Sequence, residues 1–356
     1  MKTVVGEGRA VFPFTAIVDQ ERLKLALLLN AINPRIGGVL IRGPKGTGKS
    51  TAVRALVDLL PEIEVVEDCS FNCNPRDPTN MCDVCRSRIS SGEKLSIVKR
   101  KMSVIDLPIG ATEDRVVGTL NIEKAIREGV RALEPGILAQ ANQNVLYIDE
   151  INLLPDHIAD VILDAAASGW NVVEREGISV QHPSRFILVG TMNPEEGELR
   201  PQLLDRMSLH AEISTILDPS LRIEVMKANM GFEEDPVSFR MKYRDQQEML
   251  IARILKAKEI LSRVRIPDIL FEAVARMCIS LQVDGHRPDI VIMKSARTLA
   301  AFNGREEVTP QEVLECAYLA LSHRTRNLGV EPPATDRQIQ EEFRKALEFS
   351  KTKMAT

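Results

Sequence analysis

Eight consecutive residues of the 356-residue chain, Gly43-Pro44-Lys45-Gly46-Thr47-Gly48-Lys49-Ser50, have the types and spacing that hold a triphosphate. They fit G-x-x-x-x-G-K-[ST] at every fixed position. Glycines let backbone N–H groups turn inward around phosphate oxygens, and a helix opening behind them adds a field that favours an anion. Lys49 is expected to reach the β- and γ-phosphates, Ser50 to hold Mg²⁺ through its hydroxyl, and the nucleotide-binding set to run on to Thr51.

Five further residues complete a hydrolytic set. Val145 to Glu150 (VLYIDE) is a strand ending in two carboxylates. Asp149 would orient the magnesium shell, and Glu150 would position or deprotonate the attacking water. A plain solvated strand end is the alternative, and the placement after the glycine loop and before a helix weighs against it. Asn193, at the end of ILVGTMN, can hold the lytic water or merely start a turn before Pro194. Arg206 ends a helix in RPQLLDR and can reach a neighbour's γ-phosphate; its alternative is a surface ion pair with Asp205. Arg287, in VDGHRPD, starts a later helix and can cover the nucleotide of its own chain, or simply solvate the helix end.

A second chemistry sits apart from these. Four of the six cysteines follow the pattern Cys69-x3-Cys73-x8-Cys82-x2-Cys85. In a reducing compartment such clustering reads as metal binding before disulfides. Four thiolates suit tetrahedral Zn²⁺; an iron–sulfur cluster and unligated thiols are the other readings. Cys278 and Cys316 fall in helical patterns and read as packing.

The elements that must position these groups alternate. Gln20–Ile32 and Lys49–Leu60 read as helices, and Gly38–Arg42, Ile63–Val66, Val104–Leu107, Asn144–Glu150 and Arg185–Gly190 as strand segments. Ile122–Arg131 and Pro155–Ser168 read as further helices, the second with Pro in its first turn. Trp170–Arg175 and Ile178–Gln181 flank a hairpin turn at Glu176-Gly177. Alternating strands and helices imply an α/β fold, a parallel sheet covered on both faces. Beyond Asp218 only helices are expected: Ser220–Gly231, Arg244–Arg265, Ile269–Gln282, Asp289–Asn303 and Pro310–His323, the last behind a Thr309–Glu312 capping box. The charged stretch from Pro332 reads as a docking helix or partly disordered tail.

Bulk properties narrow the field. Lys and Arg total 46 against 50 Asp and Glu, a formal charge of −4 that argues against a general nucleic-acid binder. The short basic run Lys99-Arg100-Lys101 has no aromatic ladder and reads as a solvated strand face. The N-terminus lacks a signal-peptide layout and no apolar run approaches about 18 residues, so a cytoplasmic protein without membrane or nucleic-acid partners is expected.

In this order, Lys49, Asp149-Glu150, Asn193, Arg206 and Arg287 resemble the AAA+ P-loop ATPases, a fold with a five-stranded parallel sheet and a C-terminal all-α lid. The stretches VFPFTAIVDQERLKLALLLNAINPRIGGVLIRG, DLPIGATEDRVVGTLNIEKAI, NVVEREGISVQHPSRFILVGTMNPEEGELRPQLLDR and LSHRTR narrow the likeness to the AAA+ motor subunit of magnesium chelatase, over about residues 11–325. The resemblance implies an ATP- and Mg²⁺-using motor in a homo-oligomeric ring, a hexamer, with Arg206 acting in trans. It implies two partners, an ATPase-like subunit with an integrin-type metal-binding domain and a porphyrin-binding subunit that inserts Mg²⁺ into protoporphyrin IX on the way to chlorophyll. It also implies that Val18 and Gln20 lie near adenine, in Ile17-Val18-Asp19-Gln20, where the family usually has Gly in place of Asp19. The organisation expected is an α/β nucleotide-binding domain over 1–217 with insertions at 68–92, 95–141 and 172–181, a helical domain over 218–330 and a tail over 331–356. The alternatives are a cobalt-chelatase motor of corrinoid synthesis, a MoxR-like assembly chaperone, and a nucleic-acid translocase that the acidic balance disfavours.

Overall fold

The structure, a computed structural model, describes residues 10–120, 133–175, 178–324, 326 and 330–355. The helix expected at Ile122–Arg131, the hairpin tip Glu176-Gly177 and Thr325 of LSHRTR lie outside the described residues. The strands in chain order are β1 (Gly38–Arg42), β2 (Ile63–Val66), β3 (Ile97–Arg100), β4 (Val104–Leu107), β5 (Gly118–Leu120), β6 (Leu133–Pro135), β7 (Val145–Ile148), β8 (Trp170–Arg175), β9 (Ile178–Pro183), β10 (Ile187–Met192) and β11 (Met207–Glu212).

The central sheet has five strands in the order β11-β1-β10-β7-β4, every neighbour parallel. Its inner strands are continuous apolar runs because both faces are covered: β7 and β10 are buried at every residue. One face carries the helices Glu21–Ile32 and Lys49–Val57, and its core runs on without a break into the C-terminal helices through Val291, Ile292 and Cys316. The other face is packed by Glu113–Val117, Ile137–Ala141 and Asp156–Ser168.

Three expectations are corrected here. Ile63–Val66 does not continue the main sheet; β2 pairs antiparallel with β3 in a separate ribbon, and β4 takes the sheet position. The basic residues Lys99 and Arg100 sit on that ribbon and are exposed. Residues 68–92 are not wholly irregular, since Cys82 caps a helix at Asp83–Ser90. Pro155 is the residue before its helix rather than within the first turn, because its backbone is still extended.

The helices Pro219–Glu234, Arg244–Ile260, Asp268–Ser280, Arg287–Phe302 and Pro310–Leu321 form the C-terminal region. Asp235 caps an additional short helix, Pro236–Lys242, through bonds from the N–H groups of Val237 and Ser238. The Thr309–Glu312 capping box forms as expected, with Thr309 N–H donating to Glu312 Oε2 at 2.8 Å. The last helix, Asp336–Ala355, docks: Ile339, Phe343 and Ala346 are buried, and the Arg276 guanidinium lies 4.0 Å over the Phe349 ring. Among the described residues no helix is long and apolar enough to cross a membrane.

The glycine loop leaves β1 between two strand ends. Gly43 N–H donates to Met192 O at 3.1 Å, and Ile213 N–H donates to Arg42 O at 2.8 Å. A Cβ on Gly43 would stand 2.6 Å from the Ile213 carbonyl oxygen, so that backbone would have to move. Gly43→Ala should therefore lose about 1–3 kcal/mol of stability, the usual cost of overpacking, read as a lowered urea midpoint at unchanged slope.

Candidate nucleotide site

Three parallel strands end side by side, and each delivers part of one site. β1 leads into the glycine loop, β7 into Asp149 and Glu150, and β10 into Asn193. This is the crevice beyond the carboxyl ends of a parallel sheet, where such folds bind ligands. A cleft of about 970 Å³ lies there, lined by Lys45 to Thr51, Asp149, Glu150, Thr191 and Asn193. Its far wall is Ile17, Val18 and Gln20 on one side, and Arg222, Met226 and Asn229 of the helix Pro219–Glu234 on the other.

The loop has the shape of a phosphate cradle. Gly46 and Gly48 have φ of 79° and 80°, and a Cβ at either would meet nothing within 4 Å. Open space over a left-handed turn at a helix N-terminus is the form that backbone donors need to wrap an anion. Gln20 Nε2 donates to Thr47 O at 3.1 Å, tying the N-terminal segment to the loop. Asp19 has φ of 58°, in the left-handed region that Asp tolerates and Gly takes freely.

Lys49 Nζ donates to Pro44 O at 2.8 Å and to Gly43 O. Burial pushes its pKa down, while the Asp149 and then Glu150 carboxylates pull it up. Lys45 Nζ bridges Glu196 at 2.5 Å and Glu150 at 3.2 Å. Asp149 is oriented by two donors to one oxygen: Thr191 Oγ1 at 2.6 Å and Tyr147 Oη at 3.0 Å both reach Oδ1. Burial pushes the Tyr147 hydroxyl well above its usual range, so it stays protonated and donating. Thr191 Oγ1 also accepts from Glu150 N–H at 3.3 Å and so touches both carboxylate residues. Asn193 is buried; its Oδ1 accepts from Glu195 N–H at 3.3 Å while the residue faces the cleft, so the turn-starting and cleft-lining readings both describe it.

Tyr147 and Thr191 were not singled out in the sequence. The available signal was a lone Thr in the buried run ILVGTM, on the strand that pairs with Tyr147's own.

Two predicted residues are elsewhere. Arg206 Nη1 lies 2.7 Å from Asp164 and 3.8 Å from Asp160, not on Asp205 as its alternative reading had it. Asp205 instead faces Arg324 and, at 3.8 Å, Arg287. Arg287 is not in the lining of its own chain's cleft, contrary to the expectation. The C-terminal helices dock behind the sheet, with Asn33 Nδ2 donating to Thr298 Oγ1 at 3.1 Å and Lys294 Nζ to Arg35 O at 3.0 Å. That places Arg287 beside the start of β11, whereas the glycine loop follows the far end of β1.

The four predicted cysteines do converge: their sulfurs all lie within 4.8 Å of one another. Cys73, Cys82 and Cys85 are buried, and Cys69 is half-buried. Cys69 Sγ is 3.4 Å from Cys73 Sγ and 3.9 Å from Cys82 Sγ. Backbone donors point at two sulfurs, Cys82 N–H at Cys73 Sγ (3.1 Å) and Phe71 N–H at Cys69 Sγ (3.5 Å). Sharing of protons holds the Cys69 thiol down, chiefly through Cys73, and pushes Cys73 up.

Comparison with known proteins agrees with this geometry. The family model for magnesium chelatase, subunit ChlI, matches residues 121–214, and that for the AAA lid domain matches 272–345. A magnesium-chelatase subunit ChlI homolog of Methanocaldococcus jannaschii is 58% identical over 333 residues, covering 94% of this chain and 90% of the relative. Magnesium-chelatase subunit ChlI of Mesostigma viride is 53% identical over 337 residues, covering 95% and 94%. Among solved structures, a chain from the complex between subunits BchI and BchD of magnesium chelatase is 46% identical and superposes with TM-score 0.54, covering 94% of this chain and all of that one. With such identity along nearly its whole length, this chain belongs to the ChlI family of AAA+ ATPase subunits of magnesium chelatase.

Proposed function

We propose that this chain binds MgATP in the cleft around Lys49 and hydrolyses it there, and that hydrolysis drives a partner subunit to insert Mg²⁺ into protoporphyrin IX. The observation that carries the reading is the meeting of Gly43–Ser50, Asp149-Glu150 and Asn193 at the ends of adjacent strands, around one cleft, in a chain of this family. The backbone of Gly46 to Ser50 cradles the phosphates, with Gly43, Pro44, Lys45 and Thr51 framing the loop. Val18 and Gln20 flank the base. Lys49 leaves the carbonyls of Gly43 and Pro44 for phosphate oxygens. Ser50 and Asp149 hold the magnesium ion, which neutralises charge on the phosphates when bound. Glu150 accepts the water's proton, and Asn193 orients that water.

Arg206 and Arg287 belong to a neighbour's site. Arg206 immediately precedes β11, whose Met207 pairs with Gly38 at the start of β1. The glycine loop follows Arg42 at the other end. The intervening strand is about 13 Å long at about 3.3 Å per residue, so the guanidinium serves a cleft other than its own. A heterologous contact of this kind closes into a ring, read here as a hexamer. The integrin-type subunit and the porphyrin-binding subunit dock on that ring, in the cytoplasm. The four cysteines hold a structural Zn²⁺: a Zn–S bond of about 2.3 Å puts tetrahedral sulfurs about 3.8 Å apart, close to the spacings at Cys69.

The test is reconstitution with both partner subunits, ATP and protoporphyrin IX, followed by the Mg-porphyrin spectrum. No product with active partners overturns the reading. Lys49→Ala should weaken nucleotide binding about 10–100-fold, since a charged hydrogen bond is worth about 1.5–3 kcal/mol; calorimetric titration with a non-hydrolysable ATP analogue measures it.

A further inference from the structure

The cysteine cluster sits at the end of the sheet opposite the nucleotide. It is tied to β2, where Val66 N–H donates to Cys73 O at 3.1 Å and Glu64 pairs with Arg76, and it reaches two further segments. The first is the turn before β7. Asn142 Nδ2 donates to Phe71 O (2.9 Å) and Asn72 O (3.0 Å), and Gln143 Nε2 donates to Asn72 O at 2.9 Å. The second is the base of the β8–β9 hairpin. The Phe71 ring stacks on the His182 ring, centroids 4.8 Å apart and planes within 13°. The Arg86 guanidinium, one residue beyond Cys85, lies 5.6 Å over the Trp170 ring. Arg185, just past β9, donates to Asp77 Oδ2 at 3.0 Å and Thr79 O at 2.9 Å, both within the long loop between Cys73 and Cys82.

His182 is fully buried and passes the contact on. Asn171 Nδ2 lies 2.9 Å from His182 Nε2 and 2.9 Å from the Val117 carbonyl, so it donates to both; His182 Nδ1 then donates to Pro183 O at 3.0 Å. A continuous chain of contacts thus joins the sulfurs, Phe71, His182, Asn171 and the helix Glu113–Val117.

Of the residues that make these contacts, 71–72 and 77–79 lie in loop and turn and Arg86 in the short helix Asp83–Ser90, and none belongs to a strand. Beyond the bond from Val66 N–H to Cys73 O and the small buried cluster of Val66 and Met81 with the cysteines, the four sulfurs are what tie these pieces to one another. A metal–thiolate centre supplies folding energy where a segment lacks a core.

We propose that the metal held by Cys69, Cys73, Cys82 and Cys85 is the anchor that fixes the base of the β8–β9 hairpin. The inference rests on the zinc reading above. The centre positions the hairpin against Glu113–Val117 and takes no part in nucleotide binding.

Hydrogen exchange on the full chain tests it. Phe71→Ala removes the stacked ring and no sulfur. It should keep its metal and its nucleotide affinity, while amide exchange in β8 and β9 rises by at least about tenfold, the signature of a locally released element. Stripping the metal from unmodified protein, with a thiol-reactive mercurial and a chelator, should raise exchange in the same strands. Hairpin exchange unchanged after metal loss overturns the anchor and leaves the zinc reading standing. Protein purified under reducing conditions without metal overturns both. Equal loss of protection along β1, β7 and β10 also overturns it, because the metal would then support the whole sheet.

Discussion

Subunits carrying Arg206→Ala, and subunits carrying Glu150→Gln, should each hydrolyse almost no ATP alone, and mixing the two should restore part of the activity. The first half follows from charge. An arginine brought in trans to a transferring phosphoryl group is worth about 10³–10⁵ in rate. The second half follows from the fold. Arg206 is held at 2.7 Å by Asp164, one β1 length from its own glycine loop. On the proposed arrangement a working site takes Glu150 from one chain and Arg206 from the next. In a random equimolar ring about a quarter of interfaces combine the two intact halves, and steady-state phosphate release should recover toward that fraction. If the mixture stays as inactive as its components while rings still assemble, the arginine does not act across the interface. If Arg206→Ala alone keeps its rate, the residue is no more than an ion-pair partner for the helix Asp156–Ser168.

What the sequence disclosed, and what it hid, divides by how local the information is. GPKGTGKS and VLYIDE are legible because each motif carries its chemistry and its strand or helix context in about a dozen residues. The cysteine quartet is legible for the same reason, although the sequence could not show that Phe71 and Arg86 beside it reach the hairpin. β11 was not readable as a strand: Met207–Glu212 carries Ser208 and His210 at buried positions, and it is a strand because β1 offers it an open edge. β2 has the pattern of a sheet strand yet lies outside the sheet, because its pairing partner is β3, on the far side of the cysteine segment. The Tyr147–Asp149–Thr191 bonds join two strands distant in sequence, and only the register of β7 against β10 brings them together. Arg287 was misplaced for a related reason. Its motif signals a helix start, but the direction in which that helix faces is set by the shared core of Leu27, Leu29 and Ile32 with Val291 and Ile292.

Glu150→Gln should keep nucleotide affinity within about threefold and lower kcat by about 10²–10⁴, the range in which a positioned general base contributes. The amide preserves the volume and can still fill the space beside Lys45, but it cannot take a proton. Affinity is expected to survive because the bonds that orient the magnesium-facing carboxylate are made by Tyr147 and Thr191 to Asp149, not by the Glu150 side chain. The ion pairs of Lys45 add a consequence. Glu150 and Glu196 share that ammonium at 3.2 and 2.5 Å, so water can be activated only when Glu150 is drawn toward the phosphates and away from Lys45. Lys45→Met in the native background then releases Glu150 while leaving the backbone of Gly46 to Ser50 in place, and should raise kcat while leaving Kd for the ATP analogue within about threefold, because the Lys45 ammonium is itself largely exposed and paired to carboxylates. Single-turnover hydrolysis with pre-bound ATP separates the outcomes. A Glu150→Gln protein that binds ATP and hydrolyses it at the native rate removes this carboxylate from the chemistry and moves the search for the base to Glu196, the other acid on Lys45.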